Sequence, residues 1–284
     1  MRKTYLLTLL VSLLFCYSSR AQTTKTVNVA QPGTLSAALG EELKTVKDLT
    51  VTGKINAADI EGLIQASALE VLNLSDAAIV DTEGKATTAF PGYTLRKHPT
   101  LTTLSLPKMI TTIGSGAFFK CQKLKKVVLP QTIKKLNETV FMSCSALSDI
   151  NFPDGLESIG RNAFYMTAIT EFTAPKALKT LGDNALYGTQ ITKAVLNDRL
   201  EKIGQASFAA CKQLAKIEIE NNPNFKLVDG VLYSTDKTTL VAYPLADKRA
   251  LYKTLPTVTT IYQGIFEGAV NLKDIYINEG VKTI

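Results

Sequence analysis

The stretch IGSGAFFKCQKLKKVVLP, Ile113 to Pro130, is followed 23 residues on by LNETVFMSCSALSDINFP, Leu136 to Pro153. The second copy keeps the apolar positions and the cysteine and drops both glycines. A phosphate loop on Gly114-Ser115-Gly116 needs a strand, the glycine turn and then a helix carrying lysine. A nucleophile at Cys121 needs a base beside it. Copying that preserves apolar spacing and discards polar chemistry preserves a scaffold.

The copies continue along the chain. Units begin at Ile110, Ile133, Leu156, Leu178 and Leu200, at spacings of 23, 23, 22 and 22, and another begins at Val258. The fourth residue of each is apolar and the fifth is glycine, except at Asn137 and Tyr262. The ninth is aromatic or leucine: Phe118, Phe141, Phe164, Leu186, Phe208 and Phe266. Each unit closes on apolar-x-x-apolar-x-apolar, as in Leu124, Val127 and Leu129, the alternation of a short strand with one buried face. Units this short bury nothing alone, so the pattern predicts a right-handed stack of 22–23-residue units with short parallel strands and little helix. Glycine at the fifth position is expected to supply a positive φ, which asparagine also adopts. The twelfth-position column, Cys121, Cys144, Thr167, Thr189, Cys211 and Ala269, is small throughout and suits a confined buried slot. Adjacent rungs bring Cys121 within bridging range of Cys144, but stacked side chains run parallel, which is poor disulfide geometry.

Residues 22–109 hold less regular rungs, with the closing spacing at Val46-Leu49-Val51, Leu69-Leu72-Leu74 and Leu101-Leu104-Leu106. Asn56 is placed to cap a helix, and Thr34 to Leu43 reads as a short amphipathic helix closing the N-terminal end of the stack. Residues 110–220 carry the regular repeats. Residues 221–257 break the period with strands alternating about Asp229-Gly230, a hairpin signal. That hairpin is expected to pack as a decoration on the flank; its other use would be to present Tyr233 and Tyr243 to a partner. Residues 258–284 form a further repeat that ends at Ile284, where Val281 to Ile284 match the start of a new unit. The expectation is that the full gene product continues with more repeats or a cap.

From Ile110 to Pro130 the pattern I-x-x-I-G-x-x-A-F-x-x-C-x-x-L-x-x-I-x-L-P is nearly complete, and it resembles the leucine-rich repeat of BspA-like surface proteins. The segment NPNFKLVDGVLYS, Asn221 to Ser234, also resembles an insertion of that family. The resemblance implies a leucine-rich repeat solenoid, exported by a host-associated bacterium, adhesin-like and without catalytic residues.

Residues 1–21 read as a secretory signal: Arg2 and Lys3, an apolar run from Tyr5 to Phe15, then Ser19-Arg20-Ala21. Phe15 before Cys16 argues against lipid attachment there. No later apolar stretch reaches spanning length, so the mature chain is read as exported, secreted or at the cell surface, with no transmembrane segment. Cleavage removes three of the positive charges and lowers the net charge from +7 to +4, with lysines scattered among acids. Nucleic-acid binding needs a basic face that such scatter does not make. The one histidine, His98, lies in RKHPT and is read as an exposed loop residue, which leaves no triad or histidine-based zinc site. No cofactor or metal is expected, and the chain is read as not an enzyme.

What remains for recognition is the exposed sheet face. One outward column contains Lys126, Asp149, Glu171, Lys193, Lys216 and Asp274; the other contains Val128, Asn151, Thr173, Val195, Glu218 and Tyr276. The first reads as a solvated ladder of mixed sign, the second as a shallow surface of small side chains. Such a face fits a protein partner, host extracellular or bacterial, better than a small molecule, which wants an enclosing site. A carbohydrate-binding or glycan-associated surface protein is the alternative.

Overall fold

In the computed structural model, which describes residues 23–284, the chain winds into a parallel-strand solenoid of about eleven turns. The signal reading and Cys16 lie outside the described residues. One face carries β1 (Thr24–Val29), β2 (Asp48–Ile55), β3 (Val71–Asn73), β4 (Thr103–Ser105), β5 (Lys126–Val128) and β6 (Asp149–Ile150) as one parallel ladder. It continues in β7 (Glu171–Thr173), β8 (Lys193–Leu196) and β9 (Lys216–Ile219), and then in β10 (Leu251–Lys253) paired with β11 (Asp274–Tyr276). A second parallel sheet stacks the fourth-position residues, from Ala89–Phe90 to Lys202–Ile203. Register is fixed by the period, so Val127 pairs with Leu104 and with Ile150, and equivalent apolar residues fall in line inside the stack.

The helical cap at the N-terminus is a turn in its own right. α1 (Leu35–Leu39) runs into one 3-10 turn, Gly40–Lys44, and links β1 to β2, with Leu35 and Leu39 buried. β1 escapes sequence reading because TKTVNV lacks the apolar-x-x-apolar spacing. α2 (Ala57–Gly62) opens on the capping box of Asn56 and Asp59. Asp59 does more than cap: its carboxylate, buried, accepts from the backbone N–H of Asn56 at 3.0 Å, Gly33 at 2.7 Å and Leu35 at 2.9 Å.

The fifth-position glycines do not take positive φ, contrary to the sequence expectation. They are needed because backbones touch: a Cβ at Gly114 would lie 2.4 Å from the Gly92 nitrogen, and one at Gly204 would lie 2.3 Å from the Asp183 nitrogen. Left-handed backbone falls instead on the seventh residue, as at Gly116, Thr139, Asn162 and Asn184, and on the eleventh, as at Lys120, Ser143, Met166 and Gly188. Its purpose is visible in the hydrogen bonds. Each such residue turns its N–H toward the next rung: Thr139 to the Arg161 carbonyl at 2.8 Å, Asn162 to Asp183 at 2.9 Å, and Lys120 to Met142 at 2.8 Å. Strain at these two positions of each unit is thus offset by a peptide ladder that satisfies the buried turn. Opposite effects follow two residues apart. Gly204→Ala should cost about 1–3 kcal/mol through overpacking against backbone, whereas Ala206→Gly, at φ +53°, should gain about 1 kcal/mol. Urea titration of the two variants reads both signs.

The period-breaking segment divides in two. Phe225–Val228 and Val231–Ser234 form the antiparallel hairpin, turning through Asp229 and Gly230 with φ of +49° and +79°. The chain then rejoins the stack, because Thr239–Ala242 pairs with Thr260–Ile261 and β10 pairs with β11. Tyr233 and Tyr243 point inward, into a second core with Leu240, Tyr252, Val258 and Ile261. The hairpin is therefore a packed flank element, and neither tyrosine is available to a partner.

Candidate functional site

The outward columns form where the strand period leaves them. Val127 and Ile217 are buried while Lys126, Val128 and Lys216 on either side of them face solvent, and the same alternation recurs at Glu171, Phe172 and Thr173. Lys126 pairs with Asp149 at 2.8 Å, and Glu218 receives both Lys193 at 2.7 Å and Lys216 at 2.6 Å. Those two lysines hold the Glu218 carboxyl below the usual carboxylate range. Glu171 and Asp274 are exposed and take part in no ion pair of the described residues. Val128 is 42% exposed and Tyr276 58%, with the Lys253 ammonium 5.3 Å from the Tyr276 ring centre. Thr173 is exposed and Val195 half-buried. Asn151 belongs to the scaffold: its Nδ2 donates to the Leu129 carbonyl at 2.9 Å and its Oδ1 accepts from the Leu129 N–H at 2.8 Å. Asn222 and Asn278 do similar service at other rungs, bonding carbonyls of the preceding turn.

His98 is buried, not exposed. Counting 23 residues back from Cys121 lands on His98, and counting back from Ile113 lands on Phe90, so a unit beginning at Thr87 precedes the regular ones and His98 fills its twelfth position. Pro91-Gly92 in place of the usual glycine hid that unit. Its ring Nε2 lies 3.1 Å from the Leu63 carbonyl and its Nδ1 accepts from the Leu101 N–H at 3.1 Å, so the neutral ring donates at Nε2. The thiols below it act alike. Cys121, Cys144 and Cys211 donate to the Leu95, Phe118 and Leu186 carbonyls of the preceding rung at 3.0, 3.0 and 3.1 Å. All three are free, and burial pushes the Cys211 thiol up to about 11. The histidine Nε2 and the three thiols stitch carbonyls of the preceding rung, whereas the histidine Nδ1 holds the Leu101 N–H and Thr167 and Thr189 donate to carbonyls within their own turns.

Burial also holds the His98 pKa below its ordinary value. The unfolded chain takes up that proton near pH 6.5 and the folded chain only lower, so stability falls as pH drops below about 6.5. Urea midpoints at pH 7.5 and 5.5 should differ for the wild type, and the difference should shrink in His98→Gln.

Two concavities were not legible in the sequence. One, about 400 Å³, runs along the outer edge of β9 beneath the hairpin, with Leu227, Gly230, Pro244 and Asp247 opposite the strand. The other, about 520 Å³, lies on the turn side around Tyr165 and Tyr187, whose rings stack 4.7 Å apart. The Tyr187 hydroxyl donates to Glu267 Oε1 at 2.7 Å, and that carboxylate pushes its pKa up to about 12.

Residues 88–215 and 135–244 match the model of the BspA type leucine rich repeat region, which occurs in six copies. The chain belongs to the BspA-type leucine-rich repeat family. Two solved neighbours of this BspA-type chain bear on its fold. A leucine-rich repeat protein from Eubacterium ventriosum is 25% identical over 70% of this chain and 55% of its own, with a TM-score of 0.62. A leucine rich cell surface protein from Faecalibacterium prausnitzii is 20% identical over 69% and 66%, with a TM-score of 0.56. The chain spans just over half the length of the first and about two thirds of the second. Among curated proteins none matches it. Leucine-rich repeat domains generally mediate protein interactions, and among the described residues no helix is long and apolar enough to cross a membrane.

Proposed function

We propose that this BspA-type protein is an exported, non-catalytic surface module that binds host or bacterial proteins, adhesin-like, through the solvent-facing columns of β5 to β9. The observation that carries the reading is the face itself. Its side chains stand on short parallel strands, exposed in rows, with charge of both signs at Lys126, Asp149, Glu171 and Lys193. Rows on such a surface meet an extended protein partner over many small contacts without enclosing it. The cell-surface name of the Faecalibacterium neighbour agrees with a surface location.

A glycan-binding reading draws on the Tyr165 and Tyr187 rings in the turn-side concavity, where an aromatic surface and polar side chains meet. Parallel arrays separate the two. Purified extracellular matrix and bacterial surface proteins should retain the protein, and a glycan array should not. Glycan retention abolished by Tyr165→Ala would overturn the protein-binding reading.

A further inference from the structure

The ladder that carries the outward columns is not continuous. It breaks between β6 and β7 and again between β9 and β10. At the first break Phe152 packs edge-on against Phe164 and Phe172, at 5.5 and 5.4 Å between ring centres. The second break is open, and the 400 Å³ cleft lies along it.

Its lining identifies what is exposed there. Alternate side chains of a strand point to opposite faces, yet Ala215 through Glu220 all line the cleft, as only a strand edge can. The register says which groups that edge presents. Val195 turns its carbonyl toward β7, accepting from Ala174 N–H at 2.8 Å, and Glu218 is its partner on β9. Lys216 and Glu218 therefore direct their peptide groups back toward β8, and Ile217 and Ile219 direct theirs into the cleft. Strand β9 is the edge of its three-stranded sheet, so these N–H and C=O groups have no strand partner. An edge of this kind is a template for another strand.

We infer that the outer edge of β9 accepts an extended peptide segment of a partner protein as an added strand, with a basic side chain on the sheet face beside Glu220. The spacing of the groups at Ile217 and Ile219 matches the two-residue repeat of an extended chain. The far wall, formed by Leu227 and Gly230 of the hairpin with Pro244 and Asp247, confines the edge, so a single strand enters where a second sheet does not. Charge bears on the sequence through Glu220: of the three carboxylates that line the cleft, Glu218 is held by Lys193 and Lys216 and Asp247 by Arg249, at 2.7, 2.6 and 2.7 Å, whereas Glu220 is exposed and in no ion pair of the described residues. The cleft shares Lys216 and Glu218 with the columns of β5 to β9 but offers the backbone edge of β9, and the two sites have separate tests.

The probe is a capped octapeptide of alternating valine and lysine, read by residue-resolved amide hydrogen exchange on the whole protein. In the free protein the Ile217 and Ile219 amides should exchange fast and the Ala194 amide slowly. Saturating peptide should slow Ile217 and Ile219 at least tenfold and leave Ala194 unchanged. The same peptide N-methylated at every residue should have no effect, because it lacks the donors. Glu220→Lys, an exposed substitution that leaves the core untouched, should weaken the lysine peptide several-fold. Slow exchange at Ile217 and Ile219 in the free protein would overturn the proposal, since the edge would already be occupied. Absence of binding at millimolar peptide, or protection by the N-methylated peptide, would overturn it equally.

Discussion

Phe141→Ala is expected to destabilise the stack by about 3–5 kcal/mol, the cost of emptying a large buried slot that its neighbours cannot refill. The ring is fully buried and stacks on Phe118 at 5.3 Å and 10° and on Phe164 at 5.5 Å and 17°. Its neighbours are held by their own rungs and do not collapse inward. Phe164→Ala should behave alike, and because the two share one interface the double variant should depart from additivity. Cys144→Ala, in the next column, should cost much less, since it removes one small group and a thiol bond to the Phe118 carbonyl. Equal small losses at the three positions in a denaturant titration would mean that the aromatic column is not the core.

Asp59→Ala should cost about 3 kcal/mol or more, the second largest effect expected. Three backbone N–H groups, of Gly33, Leu35 and Asn56, converge on this one carboxylate. An unsatisfied buried donor costs about 1–3 kcal/mol, and the loss of the acceptor uncovers both helix starts at once. The exposed pair of Asp76 and Lys108 is the control, and Asp76→Ala should leave the unfolding midpoint unmoved. The loss in Asp59→Ala should also appear locally, as faster amide exchange at Leu35 before any change at Phe141. In a repeat protein each turn answers mainly to its neighbours.

The repeat was legible because a stack enforces one residue type at each depth, so Phe118, Phe141 and Phe164 advertise their column by spacing alone. The outward direction of Lys126, Val128, Asp149, Glu171, Thr173, Lys193 and Lys216 was legible for the same reason, since all are exposed where the alternation puts them. What escaped had its signal diluted or lay outside the period. The Thr87 unit lost its usual glycine to Pro91-Gly92, and so His98 read as loop although it stands 23 residues before Cys121. The rung containing Leu240 and Tyr252 was hidden by the hairpin that precedes it. The fifth-position glycines were recognised, but their cause was misassigned, because spacing cannot distinguish a positive φ from a backbone that comes too close for a Cβ. Asn151 looked like a surface residue since only coordinates show its amide bonded to Leu129. The β9 cleft arises from segments brought together by a broken ladder, and no local pattern encodes it.

The face claim is tested most directly by one comparison. Val128→Lys, Thr173→Lys and Val195→Lys are combined in one protein, Asn151 is left intact, and the affinity for a protein retained by the array is measured beside the wild type at equal unfolding midpoint. At least a tenfold loss of binding is expected, because three added cations on β5, β7 and β8 disrupt the outward columns while the buried ones are untouched. Undiminished affinity in that variant would contradict the account.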